Sequence, residues 1–221
     1  MLTARGITKS YGSLKVLKGI DLQVREAEII SIVGASGAGK STLLHILGTL
    51  DKPDEGSLFL KDEDLLRLNQ KQISRFRNRK VGFVFQFHNL LPEFSALENV
   101  CIPGYISGNS NLKVEEEGKK LLKLLGIQDR LDHKPSQLSG GELQRTAVAR
   151  ALINRPAIVF ADEPSGNLDS KNANELHKLF FKLREELNQT FVIVTHNEEL
   201  ASMADRTLEI RDGLIVNILK D

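Results

Sequence analysis

Four short stretches hold side chains whose type and spacing suit phosphate chemistry. Gly34, Ala35, Ser36, Gly37, Ala38, Gly39, Lys40 and Ser41, followed by Thr42, fit the G-x-x-x-x-G-K-[ST] spacing. Glycines let the backbone wrap an anion, and the amides of the loop and of the helix behind it point at the phosphates. Lys40 reaches the β and γ oxygens of a nucleoside triphosphate, and Ser41 offers a hydroxyl to Mg²⁺. Asp162 and Glu163 follow the apolar run AIVFA, which places two carboxylates at the carboxyl end of a buried strand, where open α/β sheets bind ligands. Asp162 is suited to holding the metal through its water shell, and Glu163 to polarising the water that attacks the γ-phosphate. Residues 138–142 read LSGGE, a Ser-Gly-Gly turn that opens a further helix with anion-binding amides. His196, at the end of FVIV, is placed to meet the γ-phosphate and the water. His45, His88, His133, His177 and His196 lack metal-ligand spacing, so zinc is not expected.

Those residues need a frame. Val-, Ile- and Phe-rich runs at 28–33, 81–85, 157–161 and 191–194 read as strands, several of them buried on both faces. Between the last two, Leu176, Leu179, Phe180, Leu183 and Leu187 recur at helical spacing, with Asp169 or Ser170 as the cap. Strand, helix, strand implies a parallel α/β sheet. TLEI and LIVNI flank Arg211-Asp212-Gly213 and predict a terminal hairpin. From Phe87 to about Ile153 helix signals replace strand signals, and Gly126 is placed to stop KKLLKLL, so this stretch reads as an inserted helical lobe. Glu115 to Glu117 with Lys119 and Lys120 read as a solvated helix face.

Composition narrows the class. The chain has 221 residues and one phosphate-loop match, with no repeat or linker, and reads as a single module. Thirty basic residues against 29 acidic ones leave a net charge of +1 and no footprint for a nucleic-acid backbone. Cys101 is the only cysteine, so no internal disulfide exists and a reducing compartment is expected. MLTARGITKSYG lacks the apolar core of a signal peptide, and IISIVGA falls short of the roughly 18 residues of a membrane span, so a membrane role requires a partner.

With LSGGE beside the phosphate loop and the Asp162-Glu163 pair, the sequence resembles the ATP-binding-cassette family over essentially its whole length. The resemblance implies a RecA-like phosphate-loop core with an N-terminal antiparallel β subdomain, residues 1–86 and 154–221, and a helical subdomain, residues 87–153. Tyr11 matches the aromatic that stacks on adenine, and Gln86 the glutamine that joins core to lobe and senses the metal and γ-phosphate. Ser139, Gly140, Gly141 and Glu142 belong to the signature, Asp169 in GNLD to the loop joining two halves of a dimer, and His196 to the switch position. Family members bind two ATP molecules, with Mg²⁺, between two head-to-tail cassettes, so a second copy of this chain and integral membrane permease subunits are implied as partners. That places the chain peripherally, on the cytoplasmic face of the inner membrane, with no nucleic-acid partner. Tandem cassettes or long coiled-coil insertions, typical of soluble members that act on ribosomes or DNA, do not occur, and a small-molecule kinase has no use for LSGGE.

ADEPSGNLD, LDKPDEG and FHNLLPEFSALENVCIP look like the lipoprotein-releasing, macrolide-export and cell-division branch. Ser165 replaces its usual Thr, and Leu143 and Thr146 depart from its ERQRV run, without removing a catalytic group. Leu90, Leu91, Phe94 and Leu97 suit either a groove for a membrane subunit or the core of the lobe.

Overall fold

In the computed structural model, which describes residues 1–219, the chain begins with Leu2–Tyr11 (β1) and Leu14–Val24 (β2). Leu2, Ala4 and Ile7 are buried although 4 and 7 differ in parity; an irregularity in the β1–β2 register between them returns Ile7 to the inner face. Glu55–Leu60 (β4) and Glu63–Asp64 (β5) complete an antiparallel sheet in the order β2-β1-β4-β5. This is the β subdomain that the family resemblance implies.

The second sheet carries the chemistry. Ile29–Val33 (β3), Val81–Phe85 (β6), Ile158–Asp162 (β7) and Thr190–Val194 (β8) occupy the four apolar runs. Arg206–Arg211 (β9) runs parallel to β3, and Leu214–Leu219 (β10) returns antiparallel through Asp212 and Gly213, both at positive φ (50° and 79°). That is the expected Asp-Gly hairpin. Strand order is β10-β9-β3-β8-β7-β6.

Alternate residues of the central strands enter two different cores. Ile30, Ile32, Ile158, Phe160, Val192 and Val194 pack toward the antiparallel sheet and Lys40–Leu47 (α1). Ile29, Val159, Ala161, Phe191 and Ile193 pack toward Ala96–Ile106 (α3), Asn111–Leu124 (α4), Gly140–Leu152 (α5) and Ser170–Leu187 (α6). Burial on both faces explains why these strands are continuous apolar runs. Gln70–Lys80 (α2) carries a capping box of Asn69 and Gln72 and precedes β6; Glu198–Met203 (α7) follows β8.

Residues 87–95 form neither helix nor strand, α3, α4 and α5 follow within 96–152, and Gly126 takes the left-handed position (φ 73°) just past α4. Their apolar faces merge with the sheet's own core, so α5 is shared between the lobe and the sheet. The charged face of α4 is less solvated than expected. Glu117 pairs with Arg155 at 2.9 Å, and Glu115 accepts from the Tyr105 hydroxyl at 3.3 Å, because α3 and the end of α5 fold back beside them. Among the described residues no helix is long and apolar enough to cross a membrane.

Candidate functional site

The phosphate loop joins β3 to α1 at the carboxyl end of the parallel sheet. Gly34 has φ 149°, and a Cβ there would run into the Ile210 carbonyl oxygen on β9, so only glycine lets the loop leave the strand at this angle. Gly39 caps α1 without a side chain, and the first turn has no acidic residue, so nothing from α1 itself covers its leading amides. Lys40 folds back across the loop, its Nζ donating to the Gly34 and Ala35 carbonyls at 2.8 and 2.9 Å.

Two strands away, β7 delivers the carboxylates. Asp162 is its last residue, and the Ser41 hydroxyl donates to Asp162 Oδ1 at 3.1 Å, bringing together two of the three groups expected at the metal, Gln86 being the third. His45 Nε2 lies 3.9 Å from the other oxygen. Burial pushes the Asp162 carboxyl above its usual range, outweighing the Ser41 hydrogen bond and the nearby His45 and Lys40, while Glu163 adds to the rise. A carboxyl that binds its proton more tightly folded than unfolded costs stability once ionised, and that cost disappears as the pH falls below the ordinary Asp value. Asp162→Asn, which still accepts from Ser41, should therefore raise the melting temperature of the nucleotide-free protein at neutral pH. Melting curves taken as the pH is lowered through the carboxylate range should show the advantage shrinking to nothing.

Glu163 turns the chain immediately after the strand, at φ 46°, a left-handed conformation uncommon for a residue with a side chain. Its Oε2 accepts from His196 Nδ1–H at 2.8 Å and from the His196 backbone N–H at 3.2 Å, so the ends of β7 and β8 meet here. Gln86, just past β6, donates from Nε2 to Asn167 Oδ1 at 3.0 Å, and Asn167 answers with a bond to the Gln86 carbonyl at 3.1 Å. Tyr11, at the end of β1, is exposed; its hydroxyl donates to Asp51 Oδ2 at 2.7 Å, and Lys9 lies over its ring. Tyr11, Gly34, Ser36, Gly37, Gly39, Lys40, Ser41, Thr42, Gln86, Glu163 and His196 all line one open cleft of about 650 Å³, with Leu14 and Val16. A larger depression, about 840 Å³, lies at the opposite, amino-terminal ends of β7 and β8; its charged groups include the internal pairs Glu26–Lys61 and Glu117–Arg155, and it holds none of these residues.

The family model described as ABC transporter matches residues 17–166, which span the phosphate loop, Gln86, the LSGGE turn and Glu163. The chain belongs to the ABC transporter family. It is 61% identical to the lipoprotein-releasing system ATP-binding protein LolD of Cytophaga hutchinsonii, covering 98% of this chain and 99% of that one. The LolD of Bacteroides thetaiotaomicron is 58% identical, over 97% and 99% of the two chains. A solved dimeric, post-hydrolysis structure of the ATP-binding cassette MJ0796 bound to ADP and Pi superposes with a TM-score of 0.91 at 38% identity, covering 100% of this chain and 98% of its own. This chain is thus the ATP-binding, ATP-hydrolysing subunit of an ABC transporter.

One group of cassette residues stands outside the cleft around the phosphate loop: the LSGGE turn and Asp169. Ser139 caps α5 in a capping box with Glu142, whose carboxylate also holds Arg130 at 2.8 Å. The Ser139 backbone N–H, ahead of Arg130, holds the Glu142 carboxyl below its usual range. Gly141 lets α5 approach α6 closely, since a Cβ would stand 2.7 Å from Asn172 Oδ1. Asp169, rather than Ser170, is the cap of α6, with both carboxylate oxygens accepting from Asn172, at 2.9 and 2.6 Å. Three contributors escape a motif reading of the sequence: Asp51 behind Tyr11, Asn167 behind Gln86, and His45 beside Asp162. Asp51 and Asn167 sit inside LDKPDEG and GNLD, but the motifs do not say what they hold.

Proposed function

We propose that this chain is the Mg²⁺-dependent ATPase of a lipoprotein-releasing transporter, working as a head-to-tail pair on the cytoplasmic face of the inner membrane. The observation that carries the reading is the division of the site. The cleft gathers the phosphate loop, Gln86, Glu163 and His196, with the Ser41–Asp162 pair at its edge, while Ser139, Gly140, Gly141, Glu142 and Asp169 do not line it. A second copy turned by a two-fold axis would supply its signature turn to this loop and receive the reciprocal contact.

In this reading Tyr11 stacks on the adenine, and the triphosphate draws Lys40 off its two backbone carbonyls. Gly34 to Thr42 provide backbone amides and hydroxyls to the phosphates. Mg²⁺ suits the Ser41–Asp162 pair because both offer hard oxygen atoms 3.1 Å apart. Among the described residues no group of three His, Cys, Asp or Glu could hold a metal alone, so Gln86, phosphate oxygens and water would complete its ligands. When bound, the ion neutralises charge on the β and γ oxygens. Glu163 takes the proton of the attacking water, and His196, already on its carboxylate, orients that pair toward the γ-phosphate. Gln86, which now bonds Asn167, would be the third side chain to hold the ion and would also meet the γ-phosphate.

Phe87, Leu91 and Phe94 stay exposed just past Gln86, whereas Leu97 packs into the helical core. The apolar segment therefore divides between groove and core, and its exposed part suits a short helix of a membrane permease. The relatives' name supports lipoproteins as cargo. Photo-cross-linkers at Phe87 and Leu91 in native membranes should capture an integral membrane subunit whose depletion strands lipoproteins in the inner membrane. Capture of a drug-export or cell-division permease alone would remove the lipoprotein assignment. Recovery of ribosomal or nucleic-acid partners alone would remove the transporter.

A further inference from the structure

The segment from Glu163 to Asp169 carries the proposed base at one end and the cap of α6 at the other. It is held by two successive turns, Gly166 N–H to the Glu163 carbonyl at 3.0 Å and Leu168 N–H to the Ser165 carbonyl at 3.1 Å. Those turns begin from Glu163 in a left-handed conformation, with its Oε2 held by His196 at 2.8 and 3.2 Å, which leaves the middle of the segment to be anchored separately. One side-chain tie reaches the segment from beneath. Ser165 Oγ lies 3.0 Å from His177 Nε2, and the two residues are 8% and 1% exposed.

His177 sits on the buried face of α6 among Leu176, Leu179, Phe180 and Leu183. Its other ring nitrogen, Nδ1, has no hydrogen-bond partner among the described residues, which makes the Ser165 hydroxyl the only polar contact of the imidazole. Burial holds the ring's pKa below its usual value, against a smaller opposing pull from Glu199, so it is neutral and can accept from Ser165 or donate to it. A polar pair inside an apolar layer adds little net stability, because desolvation offsets the hydrogen bond, but it fixes geometry. The loop it anchors also touches Gln86. A Cβ on Gly166 would stand 2.9 Å from Gln86 Nε2, and Asn167 bonds the Gln86 amide.

We propose that the His177–Ser165 hydrogen bond is a positioning device that sets the Glu163–Asp169 loop, and through it the Glu163 carboxylate and the Gln86 amide, in the geometry hydrolysis requires. The proposal rests on Glu163 acting as the base. His177→Phe and Ser165→Ala are each expected to lower kcat about tenfold, within the range that small misplacements cost, with ATP affinity unchanged. Because both variants break one bond, the double variant should lose the same factor, while its melting temperature recovers as the stranded polar atom disappears. His177→Gln, which keeps a polar group near Nε2, should regain most of the rate. Singles within twofold of the parent, losses that multiply in the double variant, or a rate that recovers together with stability would each overturn the proposal. Should His177→Phe fail to fold, Ser165→Ala against Ser165→Thr makes the same comparison, with the threonine variant expected near the parent. Glu163→Gln measured in parallel separates the failures: if it stays active, the base assignment falls and this proposal with it, whereas an inactive Glu163→Gln beside unaffected singles removes the positioning claim alone.

Discussion

Glu163→Gln is expected to bind ATP as tightly as the parent and to hydrolyse it about 10²- to 10⁴-fold more slowly, the usual range for losing a general base. That is roughly 3 to 5 kcal/mol of barrier. The substitution should leave the local structure intact, because glutamine keeps an oxygen that accepts the His196 Nδ1–H and N–H bonds now made to Oε2 at 2.8 and 3.2 Å. What disappears is the ability to take a proton. A chain that closes on ATP and cannot hydrolyse it should collect as an ATP-bound dimer, since removal of the γ-phosphate is what reopens the pair. Sedimentation with ATP and Mg²⁺ should show the dimer, and single-turnover phosphate release should show the block. Near-normal release would move the base elsewhere in the cleft.

The residues that would make those steps are legible in the sequence to different depths, for physical reasons. β3, β7 and β8 are visible because both of their faces are buried, which forces unbroken apolar runs. β1 and β2 are not, because each has one polar face and the irregular register between Ala4 and Ile7 breaks the alternation that would announce them; only the family resemblance supplies that subdomain. Either Asp169 or Ser170 could cap α6 by type, and only the bond from Asn172 N–H to Asp169 decides. The phosphate-loop residues are contiguous, so spacing alone assembles them. Asp51 reaches Tyr11 across 40 positions and Asn167 reaches Gln86 across 81, distances over which no local pattern connects one residue to the other. His177 carries the same lesson inward, because its spacing on α6 marks only a buried helix face.

Lys40→Ala should fail one step earlier, at binding. Lys40 is the first residue of α1, and a cation there opposes the helix dipole, so the fold gains little from its charge. In the nucleotide-free chain its ammonium donates to two loop carbonyls, one bond partly buried and one exposed, contacts worth little net stability. Melting without nucleotide should therefore change by no more than about 1 kcal/mol. Against a triphosphate the balance reverses. Removing one partner of a close charge pair costs about 2 to 5 kcal/mol, which weakens Kd by roughly 30- to several-thousand-fold. The readout is ligand-linked stability: ATP at a hundred times the parent's Kd stabilises the parent by about 2.7 kcal/mol, and that shift should fall to below about 1 kcal/mol in the variant. Glu163→Gln should keep the shift and lose turnover, whereas Lys40→Ala should lose both. An unchanged shift in Lys40→Ala would mean that the γ-phosphate does not lie over the start of α1, and the roles proposed for Ser41 and Asp162 would have to move with it.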